Sequence, residues 1–148
     1  MRRIFICIGL ILALLCSACS TTDKISQIKE GMTYEEFSAL MQDVSVFEYG
    51  MCAFFEYENK NVVVGFGDDT KVIRIEVYAD VGEVPESAFE AIQPGMTVYE
   101  VVQLVGLPFR STTFGLSTLD FLCENGDVFC VVWNSEMEVI ECNKIRNG

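Results

Sequence analysis

One short motif occurs twice in this chain, and it constrains the fold more than any other feature. Gly31-Met32-Thr33 returns as Gly95-Met96-Thr97, and a glutamate, Glu36 or Glu100, follows three residues after each threonine. A motif that recurs after about 65 residues is typical of a tandem duplication. The sequence therefore predicts two copies of one unit, over residues 19–80 and 87–148, joined by a linker over residues 81–86.

Each copy is predicted to begin with two short helices separated by the motif glycine. Thr33 and Thr97 stand at N-cap positions, and the glutamate three residues later has the spacing of a capping box. The helices that follow are predicted over residues 34–41 and 98–105, because apolar residues recur there on one helical face. Shorter helices are predicted before the glycines, over residues 24–29 and 86–92.

The rest of each copy is predicted to be an antiparallel meander, since strand-like runs follow one another without helices between them. The predicted strands cover residues 46–49, 53–58, 62–66 and 72–78 in the first copy, and 111–114, 118–123, 128–133 and 138–143 in the second. The predicted fold class is therefore α+β, with two tandem helix-turn-helix plus antiparallel β-meander repeats whose sheets share a core.

The first residues have the pattern of a secretory signal peptide. Arg2 and Arg3 precede the uncharged run Ile4–Leu15, and the small residues Ser17 and Ala18 follow. The apolar run is shorter than a membrane-spanning helix requires. We therefore expect residues 1–18 to be removed during export.

The residues around the expected cleavage point resemble the lipobox of bacterial lipoproteins, read as Cys16-Ser17-Ala18-Cys19. Cys16 departs from that pattern, which usually has leucine at this place. The resemblance implies that Cys19 becomes the lipid-attachment residue, with fatty acyl groups such as palmitate as a membrane anchor. The protein would then be a lipoprotein on the extracytoplasmic side of the cell envelope. The alternative is an ordinary cleaved signal and a soluble secreted protein.

Charge and composition exclude several function classes. Cleavage after Ala18 leaves 8 basic and 22 acidic residues, a formal charge of −14. Such a chain repels phosphate backbones, so nucleic acid is not an expected partner. The sequence contains no histidine, which removes Ser-His and Cys-His nucleophile pairs. We therefore expect a protein that is not an enzyme and that needs no cofactor.

Four cysteines follow Cys19, and the compartment outside the cytoplasm allows such cysteines to form disulfides. Cys52, Cys123, Cys130 and Cys142 lack the close-set pairs of a zinc site, so no metal is expected. A three-residue turn at residues 135–137 would place Cys130 opposite Cys142, which predicts a disulfide between them. The alternative is free thiols in the core, and the state of the other two cysteines stays open.

The strand over residues 128–133 is apolar on both faces. If Asn125-Gly126 forms a two-residue turn, one face of this hairpin packs on the helices and the other points away from them. The residues expected on the second face are Leu122, Phe129, Val131 and Trp133, and we interpret them as a partner-binding patch. The competing interpretation is that this face packs on the other copy or on the linker.

Two families of exported proteins resemble this chain. The run Gly95–Pro108, with its Gly-Met-Thr start and Leu-Val-Gly-Leu-Pro end, is similar to the helical signature of the SmpA/OmlA (BamE-type) lipoproteins. The doubled arrangement resembles the β-lactamase inhibitory protein (BLIP) family. The resemblance implies a non-catalytic module that binds another envelope or extracellular protein as a scaffold or assembly factor. The alternative is an inhibitor of a hydrolase such as a β-lactamase, acting through the loop tips 49–51 and 114–116.

Overall fold

The computed structural model describes residues 23–111 and 117–145 of the chain. The predicted signal peptide, Cys19 and the predicted loop tip 114–116 lie outside the described residues, as does most of the strand predicted over 111–114. The helices are α1 (Lys24–Gln27), α2 (Tyr34–Leu40), α3 (Glu86–Glu90) and α4 (Val98–Val105). The strands are β1 (Phe47–Tyr49), β2 (Cys52–Tyr57), β3 (Lys60–Phe66), β4 (Val72–Ala79), β5 (Ser117–Leu122), β6 (Val128–Trp133) and β7 (Val139–Ile145).

The predicted fold class, two tandem helix-turn-helix plus meander repeats, is wrong. The structure is mainly antiparallel β, with 41% of its residues in β-structure and 20% in helices. Strands β1 to β4 form a four-stranded sheet, and β5 to β7 form a three-stranded one. The helices α1 and α3 have only 4 and 5 residues, about one turn each, which is too short for a packed helix pair. The two sheets therefore carry the fold.

The layers of the molecule follow from which side chains share a core. Phe37 and Met41 of the α2 segment pack with Phe55, Val62 and Val64 on one face of the four-stranded sheet. The opposite face contributes different residues, which meet α3, α4 and the three-stranded sheet in a second core. That core includes Phe54, Val63, Phe89, Val101, Val105, Leu119, Phe121 and Val131. Helix α4 therefore lies between the two sheets.

Helix α4 is apolar around much of its circumference, as its position between two sheets requires. Val98, Val101, Val102 and Val105 are each at most 3% exposed. Tyr99, on the same helix, packs against the backbone of β3. A Cβ added to Gly65 would stand 2.1 Å from the Tyr99 hydroxyl oxygen, so this close approach requires glycine.

The predicted capping boxes are confirmed, and the motif that contains them also joins the helices to the sheets. The side chains of Thr33 and Thr97 accept hydrogen bonds from the backbone N–H groups of Glu36 and Glu100, and each glutamate accepts one in return from its threonine N–H. The Gly31 N–H donates to the Val72 carbonyl oxygen at 2.7 Å, and the Gly95 N–H donates to the Val139 carbonyl oxygen at 2.8 Å. Each motif is thereby fixed to the start of the last strand of its sheet.

The β5–β6 hairpin has a three-residue turn instead of the predicted two-residue turn. The Cys123 N–H donates to the Asp127 carbonyl at 2.8 Å, which leaves residues 124–126 as the loop. Gly126 has a φ of 85°, the left-handed conformation that closes such a loop. The extra residue places Phe121 opposite Phe129, where a two-residue turn would have placed it opposite Cys130.

The contact between Tyr99 and Gly65 predicts a specific coupling between α4 and the four-stranded sheet. Gly65→Ala should destabilise the protein by about 1–3 kcal/mol, because the added methyl group overlaps the tyrosine hydroxyl. Tyr99→Phe removes the overlapping oxygen, so the double variant should recover at least about 1 kcal/mol of that loss. Urea unfolding of the four proteins measures this coupling, and strictly additive effects would contradict the contact.

Candidate functional site

The partner-binding patch predicted from sequence is not a surface. Phe129, Val131 and Trp133 are 7%, 0% and 3% exposed, and they belong to the core between the sheets. Leu122 is 56% exposed and lies on the opposite face of the hairpin from these three residues. The prediction fails because the turn is one residue longer than expected, which shifts the register of β5 against β6 by one residue. A shift of one residue exchanges the two faces of a strand.

The predicted disulfide between Cys130 and Cys142 does not fit the structure either. A β-bulge at the start of β7 inserts Ile140, so Cys142 pairs with Val131 and Cys130 pairs with Asn143. Directly paired residues point to the same face, which places the two sulfur atoms on opposite faces of the sheet. All four described cysteines, including Cys52 and Cys123, are free thiols.

A different set of apolar side chains, of which Met51 and Ile73 are exposed and Phe66 is largely buried, lines the end of the four-stranded sheet where β2 begins. Two adjoining grooves meet there and share Met51 and Phe66. Tyr34 lines the first groove, and Ile73 and Met137 line the second. We call these five residues the methionine surface. They come from four separate parts of the first sheet region and from the β6–β7 turn, so only the folded chain brings them together.

The β1–β2 turn places Met51 at the centre of the methionine surface. Tyr49 pairs with Cys52, so Gly50 and Met51 form a two-residue turn. Gly50 has a φ of 57°, as the first residue of such a turn often requires, and it faces the Met137 sulfur across the gap. Met51 is 45% exposed and Ile73, the residue at the β4 bulge, is 59% exposed.

Polar groups border the methionine surface and fix its shape. The Tyr34 hydroxyl donates to both carboxylate oxygens of Glu48 at 2.9 Å, which holds the tyrosine ring beside the first groove. The Tyr34 ring also meets the Phe66 ring edge to face at 5.6 Å. In the second groove, the Arg74 guanidinium lies 4.0 Å above the Tyr99 ring. The two grooves have volumes of about 440 and 300 Å³, large enough for single side chains of a partner.

The one thiol at this surface is not an activated nucleophile. Burial raises the pKa of Cys52 to about 11, and a hydrogen bond with the Tyr99 hydroxyl offsets part of that rise. The pKa of Tyr99 is also raised, first by burial and then by the neighbouring sulfur. Because the thiolate is the reactive form, Cys52 is protonated and unreactive near neutral pH.

The structure also bears on metal and membrane binding. In residues 23–111 and 117–145, no three side chains of the metal-ligating types come together as a site. No helix in the same ranges has the length and apolar character needed to cross a membrane.

No protein-family model matches the chain, and no curated protein sequence is significantly similar to it.

Sequence reasoning identified one part of the methionine surface and missed the rest. The turn 49–51 was expected as a loop tip, and its Met51 is indeed exposed. The exposure of Ile73 could not be predicted. The alternation of apolar and polar residues places Ile73 on the apolar face of a regular strand, and the β-bulge at this position is not visible in the sequence. Met137 has a φ of 59°, a left-handed conformation that its residue type does not suggest.

The buried thiol predicts a pH-dependent stability. An acidic group whose pKa rises on folding favours the folded state at low pH, and this contribution is lost as the pH rises from its unfolded pKa to its folded pKa. For Cys52 the unfolded pKa is 9.0 and the folded pKa is about 11. Cys52→Ala removes this term, so its stability should fall less steeply than that of the parent between those pH values, by up to about 2 kcal/mol. Urea unfolding across this pH range measures the difference, and parallel curves for parent and variant would contradict it.

Proposed function

We infer that this protein is a lipid-anchored protein of the cell envelope that binds another protein without catalysing a reaction. The observation that carries this proposal is the methionine surface, where Tyr34, Met51 and Ile73 are 36%, 45% and 59% exposed around two grooves. Exposed apolar residues scattered singly need no explanation, but a contiguous group beside a groove is typical of an interaction site.

The chemistry of the methionine surface suits a protein partner better than a small polar substrate. Methionine side chains are flexible and polarisable, so Met51 and Met137 can adapt to the shape of a partner. Aromatic groups such as Tyr34 contribute much contact area at a small entropic cost. The protonated Cys52 thiol and the lack of histidine leave this surface without a thiolate nucleophile or a Ser-His or Cys-His pair.

The lipid anchor in the proposal rests on the signal-like residues 1–18 and on Cys19. A lipid at Cys19 would hold the chain at a membrane while the folded residues stay in water. The formal charge of −14 after cleavage would repel an anionic membrane surface, which favours an orientation in which the folded part stands away from the lipid. The partner would then be another envelope or extracellular protein.

Lipidation predicts how the chain distributes between membrane and soluble fractions. Cys19→Ala should prevent acylation and either release the protein from the membrane fraction or leave it unprocessed. The measurement is immunoblotting of fractionated cells together with the intact mass of the purified protein. Cys16→Ala is the matched control, since it lies within the segment that cleavage removes, and it should remain processed and anchored. An unmodified Cys19 at the mature N-terminus would contradict the proposal.

Partner binding predicts a loss of contact when a charge enters the methionine surface. A photoreactive residue at position 73 should crosslink to the partner in the native envelope, and Met51→Glu should reduce this crosslink about tenfold or more. Leu104→Glu is the matched control, because Leu104 is 37% exposed on α4 and lies outside the methionine surface. Crosslinking that survives Met51→Glu, or that both variants lower equally, would contradict the proposal.

The β1–β2 turn favours inhibition of a hydrolase as a second candidate function. A two-residue turn with the exposed Met51 is narrow enough to enter an enzyme cleft, as the resemblance to BLIP implies. An inhibitor of this kind would block a co-expressed β-lactamase at nearly equal molar ratio. Full β-lactamase activity in the presence of excess protein would leave the scaffold or assembly function as the remaining candidate.

A further inference from the structure

A third groove lies at the opposite end of the four-stranded sheet from the methionine surface. It has a volume of about 410 Å³ and runs between the segment 80–84, the C-terminal end of α4 and the end of β5. We call it the linker groove. Its lining combines acidic side chains with the amide of Asn61 and the apolar side chains of Phe109 and Leu122.

The linker groove is strongly negative. Four carboxylates line it, from Glu56, Asp80, Glu83 and Glu124, and no lysine or arginine is among its lining residues. None of the four carboxylates forms an ion pair within the described ranges. Five of the seven lysines and arginines in those ranges are paired with acids elsewhere, namely Lys24, Lys71, Arg74, Arg110 and Lys144. Four like charges around one groove repel each other and favour a cationic occupant.

Asn61 supplies a second and independent observation. Its residue is 4% exposed, yet its side-chain amide makes no hydrogen bond with any residue that the structure describes. Buried amides almost always have partners, because an unpaired one costs free energy. The side chain lines the linker groove, with its amide nitrogen close to Gly106, so an occupant of the groove can reach it.

Close packing around Gly106 brings the Asn61 amide against the C-terminal end of α4. Gly106 ends α4 with a φ of 73°, and a Cβ there would stand 2.9 Å from the Val81 side chain and 3.6 Å from the Asn61 amide nitrogen. The segment after β4 therefore crosses the end of α4 with only glycine between them. Val81 and Val105 line the linker groove together with Asn61, so the amide shares the groove with apolar side chains.

We propose that the linker groove binds an extended peptide segment of a partner protein that carries a lysine or arginine. The cationic head lies among the four carboxylates, and its alkyl stem packs on the exposed side chains of Phe109 and Leu122, which are 47% and 56% exposed. The Asn61 amide donates to a backbone carbonyl of the peptide and accepts from a backbone N–H. A peptide unit offers this pair of groups together, whereas a free amine offers donors alone.

The test measures binding of two peptides to the full-length chain in nonionic detergent micelles. Both peptides are capped, carry an uncharged fluorophore and have the sequence Leu-Ala-X-Ala-Leu, with lysine at X in one and norleucine in the other. Fluorescence anisotropy should show at least about tenfold tighter binding of the lysine peptide in about 20 mM salt, and a smaller difference in about 300 mM salt. Equal binding of the two peptides would overturn the proposal.

Variants separate the groove from the overall charge of the chain. Glu83→Gln with Glu124→Gln should weaken the lysine peptide about tenfold. Glu30→Gln with Glu90→Gln changes the net charge by the same amount at exposed acids outside the linker groove, and it should leave binding unchanged. Equal losses in the two double variants would show that only the general negative field attracts the peptide, and would overturn the proposal.

Asn61→Leu distinguishes a ligand-binding amide from a structural one. Because the amide has no partner in the free protein, the leucine variant should keep or raise the thermal midpoint while it weakens the lysine peptide about tenfold. Undiminished peptide binding by this variant would overturn the proposal, as would displacement of the peptide by n-butylamine at equal concentration. Met51→Glu should leave peptide binding intact, so the outcome is independent of the methionine surface.

Discussion

The burial of α4 between the two sheets is the interaction on which the rest of the structure depends. Each sheet is small, and the inner face of the three-stranded one is covered by α4 together with α3, whose Phe89 ring stacks on Phe129 at 4.1 Å. The four valines of α4 are shared between both sheets, so this helix joins two thin layers into one core. Valine suits the position because its short branched side chain lets the sheets approach closely on either side.

The same helix relates the two candidate binding regions to each other. Its N-terminal end carries Tyr99, which lies against Gly65 and Cys52 beside the methionine surface. Its C-terminal end carries Val105 and Gly106, which form part of the linker groove. The two regions are therefore fixed at opposite ends of one rigid helix, and neither belongs to a flexible loop alone. A protein of this form can hold two segments of a partner, or two partners, at a constant separation.

Local sequence rules predicted the parts of this structure that local interactions determine. The capping boxes at Thr33 and Thr97 were predictable, since a threonine and a glutamate three residues apart satisfy each other's backbone groups. Seven of the eight predicted strands lie within two residues of an observed strand, because runs of apolar and β-branched residues bounded by turn residues are a local signal. The registers were not predictable, because each depends on a single irregularity: the third loop residue before Asp127 and the bulge at Ile140. The patch at Phe129 and Trp133 was assigned to the wrong face as a direct result. The linker groove was not predictable either, because it depends on the contact between Val81 and Gly106, which are far apart in the sequence.

The three-residue turn at residues 124–126 has a consequence for how this chain can vary. Surface loops usually tolerate insertions and deletions, because their length matters little to the elements they connect. Here the loop length decides which face of β6 carries Phe129, Val131 and Trp133. Deleting one of its residues would turn that aromatic face away from the core between the sheets and bring Cys130 towards it. Across related sequences, the residues of this loop are therefore free to change in identity, apart from the glycine, while their number stays at three.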